Sequence, residues 1–178
     1  MIWFRENWRY FVLALAVAFG VHVASIAITP RLVMTIALNK MSASHGFNTM
    51  LQTPRPTSAS RGVVRPSPDL LYSACPFDLD KLPDHVLRVH ADHMPGTYWS
   101  VSVFDAGTSN IFALNDRQAK NGAVDFTIVG PRQDKMPLTP AVRSPTSRGL
   151  VLFRTLIDSD LHLAALDAAR RHATCAPF

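Results

Sequence analysis

Glutamate occurs once in the 178-residue chain, at Glu6. A carboxylate pair for acid–base work must therefore come from aspartates such as Asp69, Asp78 and Asp105, and nothing in their spacing brings them together. Glycine is scarce, eight residues scattered along the chain, which leaves no glycine-rich phosphate loop. There is no G-x-S-x-G elbow, and Ser100 and Ser102 sit inside a strand-like run, so no serine nucleophile is assigned. His90-Ala91-Asp92-His93 carries metal-ligating groups, but no complete ligand set of standard spacing accompanies it, and no metal is assigned. The net charge is +5, yet the basic residues are dispersed and lack interleaved aromatics, which argues against nucleic acid as a partner. No catalytic residue and no cofactor follow from these residues, and the sequence leans away from an enzyme.

There are only two cysteines, Cys75 and Cys175. In an oxidising compartment they could form one disulfide tying the C-terminal tail to the rest; the alternative is two separate thiols, buried or free. The final CAPF superficially fits a prenylation box, but Pro177 is a poor fit to the aliphatic positions of that pattern.

Hydrophobic residues make up 48% of the chain and are not spread evenly. Residues 11–29, FVLALAVAFGVHVASIAIT, contain no charge. Nineteen residues at the helical rise give about 28 Å, close to the ~30 Å hydrocarbon core of a bilayer. This run is read as a transmembrane helix contacting lipid. Arg5 and Arg9 precede it, which places the short N-terminus in the cytoplasm, and Trp3, Trp8 and Tyr10 fall at headgroup level. Ser25 and Ala27 resemble a cleavage site, so residues 1–30 are either a cytoplasmic tip with a retained anchor or a signal peptide. Residues 31–51 show Met34, Leu38 and Met41 on one helical stripe and Arg31, Thr35, Asn39 and Ser42 on another. They predict an amphipathic helix fraying near Gly46, lying on the bilayer or on the domain. Residues 53–61, TPRPTSASR, read as a linker, so 31–61 is expected to be helix plus linker.

From residue 62 to 178 the period changes to two. HVLRVHAD and YWSVSVFD alternate, and the intervening HMPGT predicts a β-hairpin. NIFALN (110–115) and VDFTIVG (124–130) are further strands, with Asn121-Gly122 a turn signal between them. A short edge strand is expected near Leu138–Arg143, and 149–157 is strand-like. Residues 158–172 predict a C-terminal helix capped by Asp158 or Ser159, with Leu161, Ala165 and Ala168 or Ala169 on its apolar face. The expected fold is mainly β, an antiparallel sandwich or jelly-roll-like domain with a C-terminal helix, preceded by one transmembrane helix.

VVRPSPDLLYS, the FDL aspartate, YWSVSVFDAGTSNIFAL, DFTIVGP and RSPTSRGLVLFRTLIDSD occur in this order across about 62–174. Together they resemble the family called domain of unknown function 1254. Larger members of that family carry this β domain followed by a second, of family 1214. The resemblance implies a short, membrane-anchored bacterial version, with its domain periplasmic and its anchor in the inner membrane. It also implies a companion family 1214 subunit as partner, and it carries over no activity. Larger members often read Asn-x-Asp-Thr-x-Tyr where this chain has Ser67 to Tyr72; Asp69 and Tyr72 match, Ser67 and Leu70 depart.

Two readings of 63–79 follow. In one, Arg65, Asp69 and Tyr72, joined by Arg154 from an apolar strand, bind a small polar or anionic ligand. In the other, Asp69 caps the turn after Pro68 and Tyr72 is a half-buried strand residue. Arg154, if buried, needs a carboxylate from Asp69, Asp78 or Asp105, which would lock the first strand against the last; otherwise it faces water.

Overall fold

The computed structural model describes residues 2–61, 65–119, 122–134, 137 and 140–178, with side chains from residue 7 onward. The side chains of Trp3 and Arg5, and Gly62, Val63, Val64, Asn121 and Leu138, which figure in the sequence reading, lie outside that description.

The first helix, α1 (Ile2–His45), is a single 44-residue element with Pro30 inside it. Proline removes one N–H and crowds the carbonyl a turn back. Beside it the Arg31 guanidinium Nη1 donates to the Ala27 carbonyl at 2.6 Å. The helix continues through Pro30 instead of ending, and the expected amphipathic helix is its C-terminal part. Asn7–His45 is long and apolar enough to cross a membrane, with a mean hydropathy of 2.4 in its most apolar window and none of that window buried. Beyond Pro30 the character changes. Met34, Ala37 and Leu38 are buried, so this half packs on the domain. Burying one such leucine is worth ~1.5–3 kcal/mol.

Among the described residues nine strands form two sheets. They are β1 (Leu51–Gln52), β2 (Leu70–Asp78), β3 (Val86–Ala91), β4 (Trp99–Asp105), β5 (Asn110–Asn115), β6 (Val124–Val129), β7 (Ala141–Arg143), β8 (Arg148–Leu156) and β9 (Thr174–Pro177). The larger sheet has the order β1-β2-β8-β4-β5, the smaller β7-β6-β3-β9. Every pairing is antiparallel except β6 with β7. A second helix, α2 (Leu163–Arg170), follows a short 3-10 turn whose N-cap, Ser159, accepts from the Leu161 N–H. Its buried side chains are Leu166 and Arg170, whereas Leu161 is 92% exposed, so the apolar face differs from the one the spacing suggested.

Alternation puts Leu87, Val89 and Ala91 of β3 and Val124, Phe126 and Ile128 of β6 opposite Trp99, Val101, Val103, Val151 and Phe153 of the larger sheet, and these form the core. The expected hairpin is corrected here. β3 pairs with β6 and β9, β4 with β8 and β5, and HMPGT crosses from one sheet to the other. Both strands have one apolar face, and a sandwich satisfies both by turning them toward each other. Gly149 marks the tightest point of the core: a Cβ there would sit 2.2 Å from the Phe104 carbonyl and 2.4 Å from the Phe77 ring.

The outer face of the larger sheet carries Ala74 and Pro76 of β2 beside Leu152 and Leu150 of β8. α1 contacts both strands, and Ala74 and Pro76 are buried although they point away from the sandwich core. Pro76 is tolerated because its missing donor faces away from β8. On that side β1 has ended, and the Pro76 carbonyl accepts from the Asn48 N–H. The sheet also reaches back beyond residue 62. β1 pairs with β2, the Asn48 amide exchanges two hydrogen bonds with the Asp78 backbone, and Arg55 pairs with Asp160 at 2.5 Å. The two sheets are joined covalently by a Cys75–Cys175 disulfide, Cα–Cα 6.5 Å, between β2 and β9.

Candidate functional site

The register of the larger sheet decides which of the expected ligand residues meet. Tyr72 lies directly opposite Arg154, Arg154 opposite Ser100, and Ser100 opposite Asn115. Four polar side chains thus form one row across β2, β8, β4 and β5, on the outer face. Directly opposed side chains have Cβ atoms ~4.5–5.5 Å apart, so neighbours in this row are within reach of one another. All four are half-buried, and Arg154 makes no hydrogen bond or ion pair to a described residue. A guanidinium with five donors beside two hydroxyls and an amide is suited to a carboxylate or phosphate.

The other expected members are elsewhere. Asp69 and Arg65 are exposed. The turn before β2 is organised by Ser67 instead of Asp69: its Oγ accepts from the Asp69 N–H at 3.3 Å, and its own N–H donates to the Tyr72 hydroxyl oxygen at 3.0 Å. Tyr72 keeps its hydroxyl proton for another acceptor. The lock between the strands β2 and β8 exists but uses a different arginine. Arg148 Nε donates to Asp78 Oδ2 at 2.9 Å, and the Arg148 guanidinium lies 5.2 Å from the centroid of the Phe47 ring. Asp78 and Asp105 lie at the opposite end of the sheet from Asp69 and Arg154.

One residue that the sequence reading missed, Arg170, holds this half of the fold. Arg170 is 3% exposed. It donates to the Tyr72 carbonyl at 2.6 Å, to the Thr53 carbonyl at 2.8 Å and to Asp167, tying α2 to β2 and the segment after β1. Leu166, four before it in α2, shares its helical stripe and could have flagged it as inward-facing. At the other end of the sheet Asp105, weighed from the sequence as a partner for Arg154, organises a turn instead. Its Oδ1 accepts from the N–H groups of Gly107 and Ser109, both at 2.8 Å, and shapes the β4–β5 turn.

Ion pairs set the titration of three surface carboxylates. The hydrogen bond from Arg88 holds Asp125 below the usual carboxylate range against a smaller opposing effect of burial. Burial pushes Asp167 up, and the hydrogen bonds from Arg171 and Arg170 together outweigh it, leaving it low. The contact with His162 lowers Asp158. Among the described residues no group of three or more metal-ligating side chains comes together. His90 instead contacts Asp92 at 3.1 Å and Asp125 at 3.7 Å. A cleft of about 380 Å³ between Gly96 and α2 has the Asp158–His162 pair in its wall and is otherwise mostly apolar.

The family described as "Protein of unknown function (DUF1254)" matches residues 47–177. The chain belongs to that family. The match begins at residue 47, just past α1, and so takes in Asn48, β1 and Arg55 along with the sandwich. Two solved structures share the fold of this DUF1254 chain. One is the crystal structure of the VPA0106 protein from Vibrio parahaemolyticus, 15% identical with a TM-score of 0.63, covering 89% of this chain and 38% of that one. The other is a putative uncharacterized protein from Burkholderia cenocepacia, 15% identical with a TM-score of 0.50, covering 88% of this chain and 42% of that one. The DUF1254 chain thus spans about two-fifths of the length of these structures. No curated protein matches it.

Proposed function

We infer that this chain is a membrane-anchored envelope protein whose β sandwich docks a companion subunit and performs no catalysis of its own. The observation that carries the reading is that the same sandwich forms only 38% and 42% of two longer solved chains, where it is joined to further structure. A companion supplying the family 1214 domain of larger relatives is the partner we propose. Residues 11–29 would anchor it in the bacterial inner membrane, with Arg9 on the cytoplasmic side and the sandwich in the periplasm. The Cys75–Cys175 disulfide supports an oxidising compartment. The test is cross-linking in intact cells followed by purification of the full chain from detergent. A stoichiometric partner carrying a family 1214 domain is expected; recovery of the chain alone, with the cross-linker shown to work on a known envelope complex, refutes the docking reading.

A second reading is favoured by one observation, the half-buried Arg154 that makes no ion pair among the described residues beside Tyr72 and Ser100. In it, this row binds a small carboxylate or phosphate. Inorganic phosphate should then raise the melting temperature of the full chain, and Arg154→Gln and Tyr72→Phe should lose that rise while Asp69→Asn keeps it. An equal rise in all three variants removes Arg154 from any role in binding.

A further inference from the structure

A cleft of about 400 Å³ lies where α1 passes the β4–β5 turn. That volume falls within the ~300–1,000 Å³ of small-ligand sites. Its walls differ in chemistry. Ile26 and Pro30 of α1 supply an apolar side, and Ile26 belongs to the uncharged run 11–29. Arg31 supplies a cation; one Nη1 contact goes to the Ala27 carbonyl, which leaves further donors for a ligand. On the facing side are Asp105, Ser109 and Thr146. Asp105 is only 8% exposed. Its Oδ1 is occupied by two backbone N–H groups, whereas its Oδ2 accepts no hydrogen bond from a described residue. Asp105 Oδ2 is open to solvent and bonded to no described donor, in the wall of a cleft that also presents an arginine, a pairing suited to a ligand carrying both charges.

We propose that this cleft binds the headgroup of phosphatidylethanolamine, with the ammonium donating to Asp105 Oδ2, the phosphate accepting from Arg31 and the start of the acyl region lying on Ile26 and Pro30. A primary ammonium has N–H donors for Asp105; a trimethylammonium has none, so a choline headgroup satisfies Arg31 alone. A purely anionic headgroup meets the Asp105 carboxylate with like charge. The position is the one a lipid headgroup requires, because the cleft sits at the end of the apolar run where the helix leaves the bilayer. The inference rests on the reading of residues 11–29 as membrane-embedded.

The experiment uses the full chain in nanodiscs of phosphatidylcholine containing a minor fraction of phosphatidylethanolamine, with lipids retained by the protein measured by native mass spectrometry. Phosphatidylethanolamine should be retained over phosphatidylcholine by roughly tenfold, the difference one charge-assisted hydrogen bond makes. Asp105→Asn, whose amide oxygen can still accept from Gly107 and Ser109, should erase that preference. Arg31→Gln should weaken retention of both lipids and leave their ratio unchanged. Equal retention of the two lipids by the wild-type chain overturns the proposal without recourse to any variant. A folded Asp105→Asn that keeps the preference overturns it as well. Soluble phosphoethanolamine that displaces the lipid outright would reassign the cleft to a free ligand and overturn the lipid assignment. Extraction of cell membranes with alkaline carbonate separates the two failures. Release of the chain overturns the membrane reading together with this one, whereas retention without lipid preference overturns this one alone.

Discussion

Cys75→Ala with Cys175→Ala removes the disulfide cross-link between the sheets. The cross-link spans 100 residues of sequence. In the chain-entropy account a loop of that size contributes about 4.7 kcal/mol at 25 °C, and losses on removing a native disulfide run about 2–5 kcal/mol. At ~2–4 °C per kcal/mol for a chain of this length, the melting temperature should fall by about 10–20 °C. Alanine is the replacement to use, since Cys75 is fully buried and a serine would bury an unpaired hydroxyl. Trp99, 2% exposed between the sheets, reports on the core directly. In a Trp3→Phe, Trp8→Phe background it is the last of the three tryptophans, and its emission follows the sandwich without interference from α1. Burial also governs chemistry: Cys75 is 0% and Cys175 7% exposed, so reductant should release thiols from the native protein only as fast as the domain opens. A double variant melting within about 2 °C of its parent, less than 1 kcal/mol, would refute the clamp.

Three further outcomes follow from the packing and the ion pairs. Gly149→Ala should abolish soluble expression or lower the melting temperature sharply, because its Cβ would be 2.2 Å from the Phe104 carbonyl, and overpacking costs ~1–3 kcal/mol or more. Arg170→Met should destabilise by about 2–4 kcal/mol in urea unfolding, since it strips donors from the Tyr72 and Thr53 carbonyls and leaves Asp167 without its buried partner. Asp125 and Asp167 are held below their ordinary pKa, so the stability they contribute is present above about pH 4 and is lost as the pH falls through their lowered values; melting followed from pH 6 downward should decline in that window, and less steeply in Asp167→Asn.

Strand positions were legible because alternation is a local signal. β5, β6 and β8 fall within a residue of the runs that predicted them. Partner choice was not legible. Leu87, Val89 and Ala91 form the same kind of apolar stripe as Trp99, Val101 and Val103, and only residues far along the chain, Phe126 for β3 and Phe153 for β4, decide which sheet each joins. β9 was missed because Thr174–Pro177 is too short to show a period and ends in proline. In the candidate site, Tyr72 and Arg154 fall opposite one another because they lie on strands that pair, which neither run shows on its own. Asp69 stands apart from that row, in a turn where Pro-Asp signals the bend and the Ser67 hydroxyl does the capping. Arg170 was hidden by its neighbour: Arg171 beside it is exposed, and a double arginine at a helix end looks like a solvated face.

Because α1 has no break at Pro30, the sandwich is fixed to the end of a lever. Fifteen residues separate Pro30 from His45, about 22 Å of helix at the usual rise. Membrane helices tilt by ~20° on average, and a change of that size in the apolar half would sweep the far end of the docked half by about 8 Å. On the proposal that residues 11–29 span a bilayer, its thickness, which sets such tilts, becomes a variable that the β domain feels as a change of height and bearing, without any hinge of its own.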